Sequence, residues 1–178
     1  MLPLGTIAPQ FELFDTISER MLSLNGLKSV NATVIMFICN HCPYVKHIRE
    51  ELVRITDDYQ PKGISFIAIS SNDADAYPED SPEMMKIEAR KYGYKFPYLY
   101  DESQTVARQY QAACTPDFYL FDSAMELVYR GQLDGSTPGN NVPLTGVKLR
   151  NALDDLLKGN PVSEVQIPSV GCNIKWKQ

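Results

Sequence analysis

This chain is poor in the residues that build metal centres and disulfide scaffolds. It has 4 cysteines and 2 histidines in 178 residues, too few for a disulfide framework. No apolar run approaches the ~20 residues that span a bilayer, so no membrane partner is expected. Positive charge is not in excess. The net charge is −5, and no nucleic-acid partner is expected. No basic segment precedes an apolar one at the start, so the opening residues do not read as a signal peptide. The expected location is therefore cytoplasmic, where thiols are held reduced. Repeats and low-complexity segments are absent. The length and the 44% hydrophobic content suit a single domain over residues 1–178, with an extended tail over 161–178.

The scarce residues are concentrated. Cys39, Cys42, His41 and His47 all lie between Phe37 and His47. The stretch sits where the apolar run Thr33–Ile38 gives way to a helical pattern. A Cys-x-x-Cys at a strand-to-helix junction reads as a redox site in a cytosolic protein. Free N–H groups and partial positive charge at a helix start favour a thiolate, which is the nucleophile of disulfide exchange. Structural zinc is the rival use of such a pair, but it needs four ligands, and Cys114 and Cys172 are not paired by spacing. No metal and no cofactor are therefore expected. His41, between the two cysteines, is the candidate for tuning the thiolate of Cys39, because a cationic imidazole stabilises it. His47 reads as an ordinary helix residue.

Taken in order, residues 11–15 and 21–24 read as two short strands that make an N-terminal hairpin. Residues 26–31 read as a turn, and 33–38 as a strand buried on both faces. Pro43 suits a first helical turn. Val45, Ile48, Leu52, Ile55 and Tyr59 then mark one face of a helix ended by Pro61 and Gly63. Residues 64–69 form a second apolar strand, parallel to the first through a strand-helix-strand unit. Residues 70–82 read as loop. A helix starts at Ser81-Pro-Glu83 and runs to about Tyr92. A short extended piece follows at 96–100, then a brief helix capped by Ser103 and reaching Tyr110. Residues 118–121 and 127–130 read as an antiparallel hairpin. Residues 134–146 are loop, and Val147 to Leu157 the last helix.

This order resembles the thioredoxin fold: an α/β chain with a central mixed sheet flanked by helices. The motif Ala8-Pro-x-Phe11-x-Leu13, the N-terminal hairpin and a helical insertion at 70–97 are similar to its redoxin branch, the alkyl hydroperoxide reductase/thiol-specific antioxidant superfamily. Residues 39–45 (Cys-Asn-His-Cys-Pro-Tyr-Val), 114–122 (Cys-Thr-Pro-Asp-Phe-Tyr-Leu-Phe-Asp) and 171–177 (Gly-Cys-Asn-Ile-Lys-Trp-Lys) resemble a bacterial thioredoxin-like or peroxiredoxin-like group. The resemblance implies that Cys39 attacks and Cys42 resolves. It also implies that Pro116 follows a cis peptide bond, and that Thr115 and Pro116 offer backbone groups to an extended substrate.

The expected activity is thiol–disulfide oxidoreduction on a disulfide-containing protein or small thiol, with a thioredoxin- or glutathione-type electron donor. Departures from the pattern define the rivals. Ile38, Thr33 and Val45 stand where relatives of this fold carry Trp, a buried Asp and Glu, so the usual proton acceptor for the resolving thiol is missing. The peroxidase pattern Pro-x-x-x-Thr-x-x-Cys, aligned on Cys42, meets Ile35 and Cys39 instead of Pro and Thr. A copper carrier of the same fold would use a distant histidine, and none follows His47. Cys114 is expected near the site, and Cys114 and Cys172 are candidate extra redox thiols that pair when the tail folds back. A buried core cysteine is the other reading of Cys114.

Overall fold

The computed structural model describes residues 1–178. Nine strands and five helices follow one another along it: β1 (Glu12–Asp15), β2 (Arg20–Ser23), α1 (Leu24–Leu27), β3 (Ala32–Phe37), α2 (Pro43–Tyr59), β4 (Ile64–Ser70), α3 (Pro82–Tyr92), β5 (Tyr98–Tyr100), α4 (Thr105–Gln109), β6 (Cys114–Thr115), β7 (Asp117–Phe121), β8 (Leu127–Gly131), α5 (Val147–Leu157) and β9 (Cys172–Asn173). Seven strands make one mixed sheet in the order β2-β1-β5-β4-β3-β7-β8. β3, β4 and β5 run parallel, and the remaining pairings are antiparallel.

The unbroken apolar run of β3 is explained by what covers it. Val34 and Met36 join one core with α2, α3 and α5, while Ile35 and Phe37 join another with α1, α4 and the N-terminal residues. Phe66 and Ala68 of β4, and Phe118 and Leu120 of β7, face the first core. Ile67, Ile69, Tyr119 and Phe121 face the second. A strand with both faces covered needs apolar residues at every position. Helix α2 has the bounds its spacing predicts. Val45, Ile48, Leu52, Ile55 and Tyr59 are all in the first core, and each aliphatic side chain so buried contributes roughly 1.5–3 kcal/mol. After α2 the chain turns at Gly63, in the left-handed region at φ 83°, where the Asn31 side chain fills the space a Cβ would take.

The N-terminal hairpin forms, and β1 joins it to the main sheet through β5. Three local expectations are corrected. Residues 24–27 are a helical turn, because the Ser23 hydroxyl accepts from the Gly26 N–H at 3.2 Å. The cap of α4 is Gln104 in the left-handed region (φ 62°), one residue beyond Ser103. Its side chain is engaged elsewhere, with the Ser71 and Lys175 carbonyls, and the Asp101 carboxylate instead takes the Ala107 N–H at 2.9 Å. The stretch 70–82 is less loop-like than its polar sequence suggests. It contains a 3-10 turn at Pro78–Asp80, and Ser70, Ser71, Asn72 and Asp80 are all buried.

The tail does not hang free. Strand β9 pairs antiparallel with β6, with Thr115 opposite Cys172 and Cys114 opposite Asn173. Ile174 is buried in the second core. Its N–H donates to the Ala113 carbonyl, and the N–H of Lys175 donates to the Asn72 side chain at 2.9 Å. No helix is long and apolar enough to cross a membrane.

Candidate active site

Two chain segments make the site, and each is positioned by a core strand. β3 ends at Phe37 and delivers Cys39 and Cys42 to the start of α2, where Cys42 is the N-cap and Pro43 the first helical residue. β7 lies antiparallel to β3, so the residues just before it, Cys114 to Pro116, arrive at the same end of the sheet. The Thr115–Pro116 peptide bond is cis, as the resemblance implies. Thr115 touches both thiols. Its hydroxyl lies 3.3 Å from Cys39 Sγ, and its carbonyl accepts from Cys42 Sγ at 3.2 Å.

Both sulfurs are covered, with Cys39 1% and Cys42 0% exposed. The tail lies against Cys42, whose thiol meets the Cys172 side chain and N–H. The face of Thr115 that a substrate strand is expected to meet is already paired with Cys172. A methyl group added at Gly171 would overlap the Thr115 carbonyl, so the backbone approach here needs glycine. Directly opposed residues of an antiparallel pair share a face, and successive residues alternate. Thr115 and Cys172 therefore face the dithiol together, while Cys114 lies on the other side. There the Cys114 thiol is nearest the Pro116 and Ser169 carbonyls, at 3.9 and 3.8 Å. The expected meeting of Cys114 with Cys172 is thus not what this register brings together.

His41 is held by a residue that sequence reasoning missed. Its Nδ1 lies 2.5 Å from Oδ2 of Asp80, whose side chain is fully buried, and its ring stacks on Tyr77. Asp80 also accepts the N–H groups of Asn40 (2.8 Å) and His41 (3.2 Å) and the side-chain amide of Asn72 (2.8 Å). Asn72 in turn holds the tail at Lys175, so one polar chain joins the dithiol loop to the C-terminus. His41 is the sequence candidate for tuning the Cys39 thiolate. The structure sets a carboxylate beside it. Cys39 Sγ, a His41 ring nitrogen and an Asp80 oxygen lie within 4.8 Å of one another, a set that could hold a metal ion. Asp80 already accepts four hydrogen bonds, so a cation would have to displace some of them.

The thiols divide sharply. Cys42 is drawn below the ordinary thiol value, first by the adjacent Cys39, then by the Cys172 thiol and the N–H groups of Val45 and Cys172, against the effect of burial. Cys39 is pushed up, first by its proton-sharing contact with Cys42, then by burial and the negative Asp80. Cys114 is pushed up to about 12 by burial and the nearby Asp117. Cys172 is pushed up to about 11 by burial and by Cys42. His47 contacts Ser136 at 2.8 Å, and Trp176 packs beneath the Arg108 guanidinium.

A strand-to-helix dithiol facing a cis-proline loop, on this mixed sheet, defines a thioredoxin-fold protein. More narrowly, residues 4–130 match the model of the AhpC/TSA family, and the chain belongs to that family. It is similar to the crystal structure of an uncharacterized conserved protein from Geobacillus kaustophilus, with 62% identity, a TM-score of 0.98 and coverage of 99% of this chain and 94% of that one. A hypothetical protein from Sinorhizobium meliloti 1021 matches at 47% identity and TM-score 0.96, covering 99% and 96%. The fold is shared more distantly with a secreted Mycobacterium tuberculosis disulfide oxidoreductase homologous to E. coli DsbE, at 14% identity and TM-score 0.62, covering 81% and 94%. A search of the curated proteins gave no match.

Proposed function

We propose that this protein is a thiol–disulfide oxidoreductase whose redox couple is Cys39 and Cys42. The observation that carries the reading is that Thr115, next to the cis-proline, touches both sulfurs at the start of α2. Cys39 and Cys42 share one proton, and when the tail lifts from β6 Cys42 loses the Cys172 groups that, after Cys39 itself, favour its charge. Cys39 keeps its place beside the Thr115 hydroxyl and the helix N-terminus, which support a thiolate. The Cys39 thiolate attacks one sulfur of a substrate disulfide, forming a mixed disulfide and releasing the other sulfur as a thiolate. The Cys42 thiolate then attacks Cys39 Sγ, which closes the internal disulfide and releases the reduced substrate. Thr115 and Pro116 offer backbone groups to the substrate by strand addition, at the edge that β9 occupies when the tail is docked.

The chemistry uses only the chain's own thiols. A thioredoxin- or glutathione-type donor returns the disulfide to the dithiol, and the setting is cytoplasmic. Replacing Cys42 with Ser tests the order of events. C42S should accumulate mixed disulfides through Cys39 under mild oxidation, visible as adducts in non-reducing intact-mass spectra. A C42S protein that traps no partner contradicts it.

A further inference from the structure

The mechanism above leaves Cys172 unused, although the fold brings it to the dithiol. Its strand lies where a substrate strand would lie, with Cys172 directly opposite Thr115. Such opposed residues sit about 5 Å apart at Cα. The Thr115 carbonyl is 3.2 Å from Cys42 Sγ, so the tail sulfur and the recessed sulfur converge on one residue. The docking is specific and many-sided. Ile174 is buried, Gly171 is pressed against the Thr115 carbonyl, and Ser169 donates to Asp117 at 2.8 Å. Gln104 holds both the Lys175 carbonyl and the Lys177 N–H. Mutual effects on the ionisation of Cys42 and Cys172 agree with direct proximity of the two thiols. Cys172 is also only partly buried, whereas Cys39 and Cys42 are covered.

We infer that Cys172 is a third redox residue, which takes the disulfide from the buried pair by attacking Cys42. This rests on the Cys39–Cys42 couple proposed above. In the oxidised protein the Cys172 thiol gives up its proton and its sulfur attacks Cys42 Sγ. The Cys42–Cys172 bond forms as the Cys39–Cys42 bond breaks. Cys39 leaves as a thiolate with the bonding electrons and takes up a proton. One disulfide is exchanged for another, so no outside oxidant or reductant enters the step. The result moves one half of the disulfide from the covered Cys39 to the half-buried Cys172, where an external thiol reductant reaches it. The tail is then a built-in exit for oxidising equivalents.

The test is disulfide mapping on the full chain. Wild type and the variants C39S and C42S are oxidised with limiting diamide, blocked with iodoacetamide and digested with trypsin. Cleavage after Lys28, Lys46, Lys158 and Lys175 places Cys39 and Cys42 together in 29–46 and Cys172 in 159–175. In C39S, peptides 29–46 and 159–175 should be linked as the main disulfide. In wild type the linked pair should appear beside the internal disulfide of 29–46. In C42S the linked pair should fall by at least about tenfold, because the attacked sulfur is gone. An internal disulfide in wild type with no 29–46 to 159–175 link in C39S, or a link through Cys114 instead, overturns the inference and leaves the Cys39–Cys42 couple standing. A wild type that forms neither disulfide overturns the couple, and the relay falls with it.

Discussion

Cys114 and Thr115 are neighbours in a two-residue strand, yet they belong to different parts of the molecule. Thr115 looks into the dithiol with Cys172 opposite it. Cys114 looks the other way, toward the Pro116 and Ser169 carbonyls, with Asp117 adding negative potential. Spacing alone would rank Cys114, two residues from the proline, above Cys172, which lies at the far end of the chain. The alternation of a strand reverses that order. Proximity in sequence to the dithiol is thus a poor guide to position, and the face of the strand sets Cys172 rather than Cys114 on the Thr115 side.

The sharpest way to break this contrast is to remove the thiols one at a time. C39S should reduce disulfide-reductase turnover with insulin to background, since the attacking sulfur is lost. C114S should keep turnover within about twofold, with a stability cost of at most about 1 kcal/mol for changing a half-buried thiol. A C114S loss as deep as that of C39S would erase the difference between the two faces.

A second test loosens the tail. In G171A the added methyl meets the Thr115 carbonyl. Strain of ~1.4 kcal/mol in docking corresponds to a tenfold rise in open molecules. Iodoacetamide labelling of Cys39 should therefore speed up by about that factor. Unchanged labelling would mean that the tail is not what covers the sulfurs.

Asp80 offers a test on the dithiol side. D80N removes the negative potential that helps push Cys39 up, so more thiolate should form at a given pH, read by absorbance near 240 nm. The variant should also melt lower, because one carboxylate oxygen becomes an NH2 donor and the two groups it accepted from, either the Asn40 and His41 N–H groups or His41 Nδ1 and Asn72 Nδ2, lose their acceptor, at a cost of roughly 1–3 kcal/mol.

The smallest effect expected is one of pH. The folded-state value of Cys42 is lowered, so the unfolded chain holds its proton over a range where the folded chain has released it. Stability from this group then rises with pH toward the ordinary thiol value and is lost as pH falls through the lowered one. The melting temperature of the reduced wild type, minus that of C42S, should increase between about pH 5 and pH 8. A flat difference would mean that folding does not favour the Cys42 thiolate.

Much of this architecture is legible in the residues. β3 and α2 carry strong periodic signals, and Cys39, Cys42 and Pro116 fall where the motifs put them. What escaped is non-local. Asp80 lies in a stretch whose Asn, Asp and Pro residues read as solvated turn. Its burial comes from the dithiol loop folding onto it, a contact between residues about 40 apart in sequence. Gln104 has no pattern that marks a cap, because its side chain serves the tail. β9 is two residues long, too short for alternation to show, and its partner lies nearly sixty residues upstream. Gly171 was the available signal: a glycine beside a cysteine marks a place where backbones approach closely.

The measurement that bears most directly on the central claim is a redox titration of the full chain in glutathione buffers. Thiols are alkylated at each poise, counted by intact mass and mapped. Two thiols in all should be lost as one two-electron couple, between roughly −270 and −120 mV on the scale of known oxidoreductases, mapping to the Cys39–Cys42 disulfide with a share exchanged to Cys42–Cys172. Cys114 should stay reduced throughout. Failure of any Cys39–Cys42 disulfide to form at every accessible poise would contradict it.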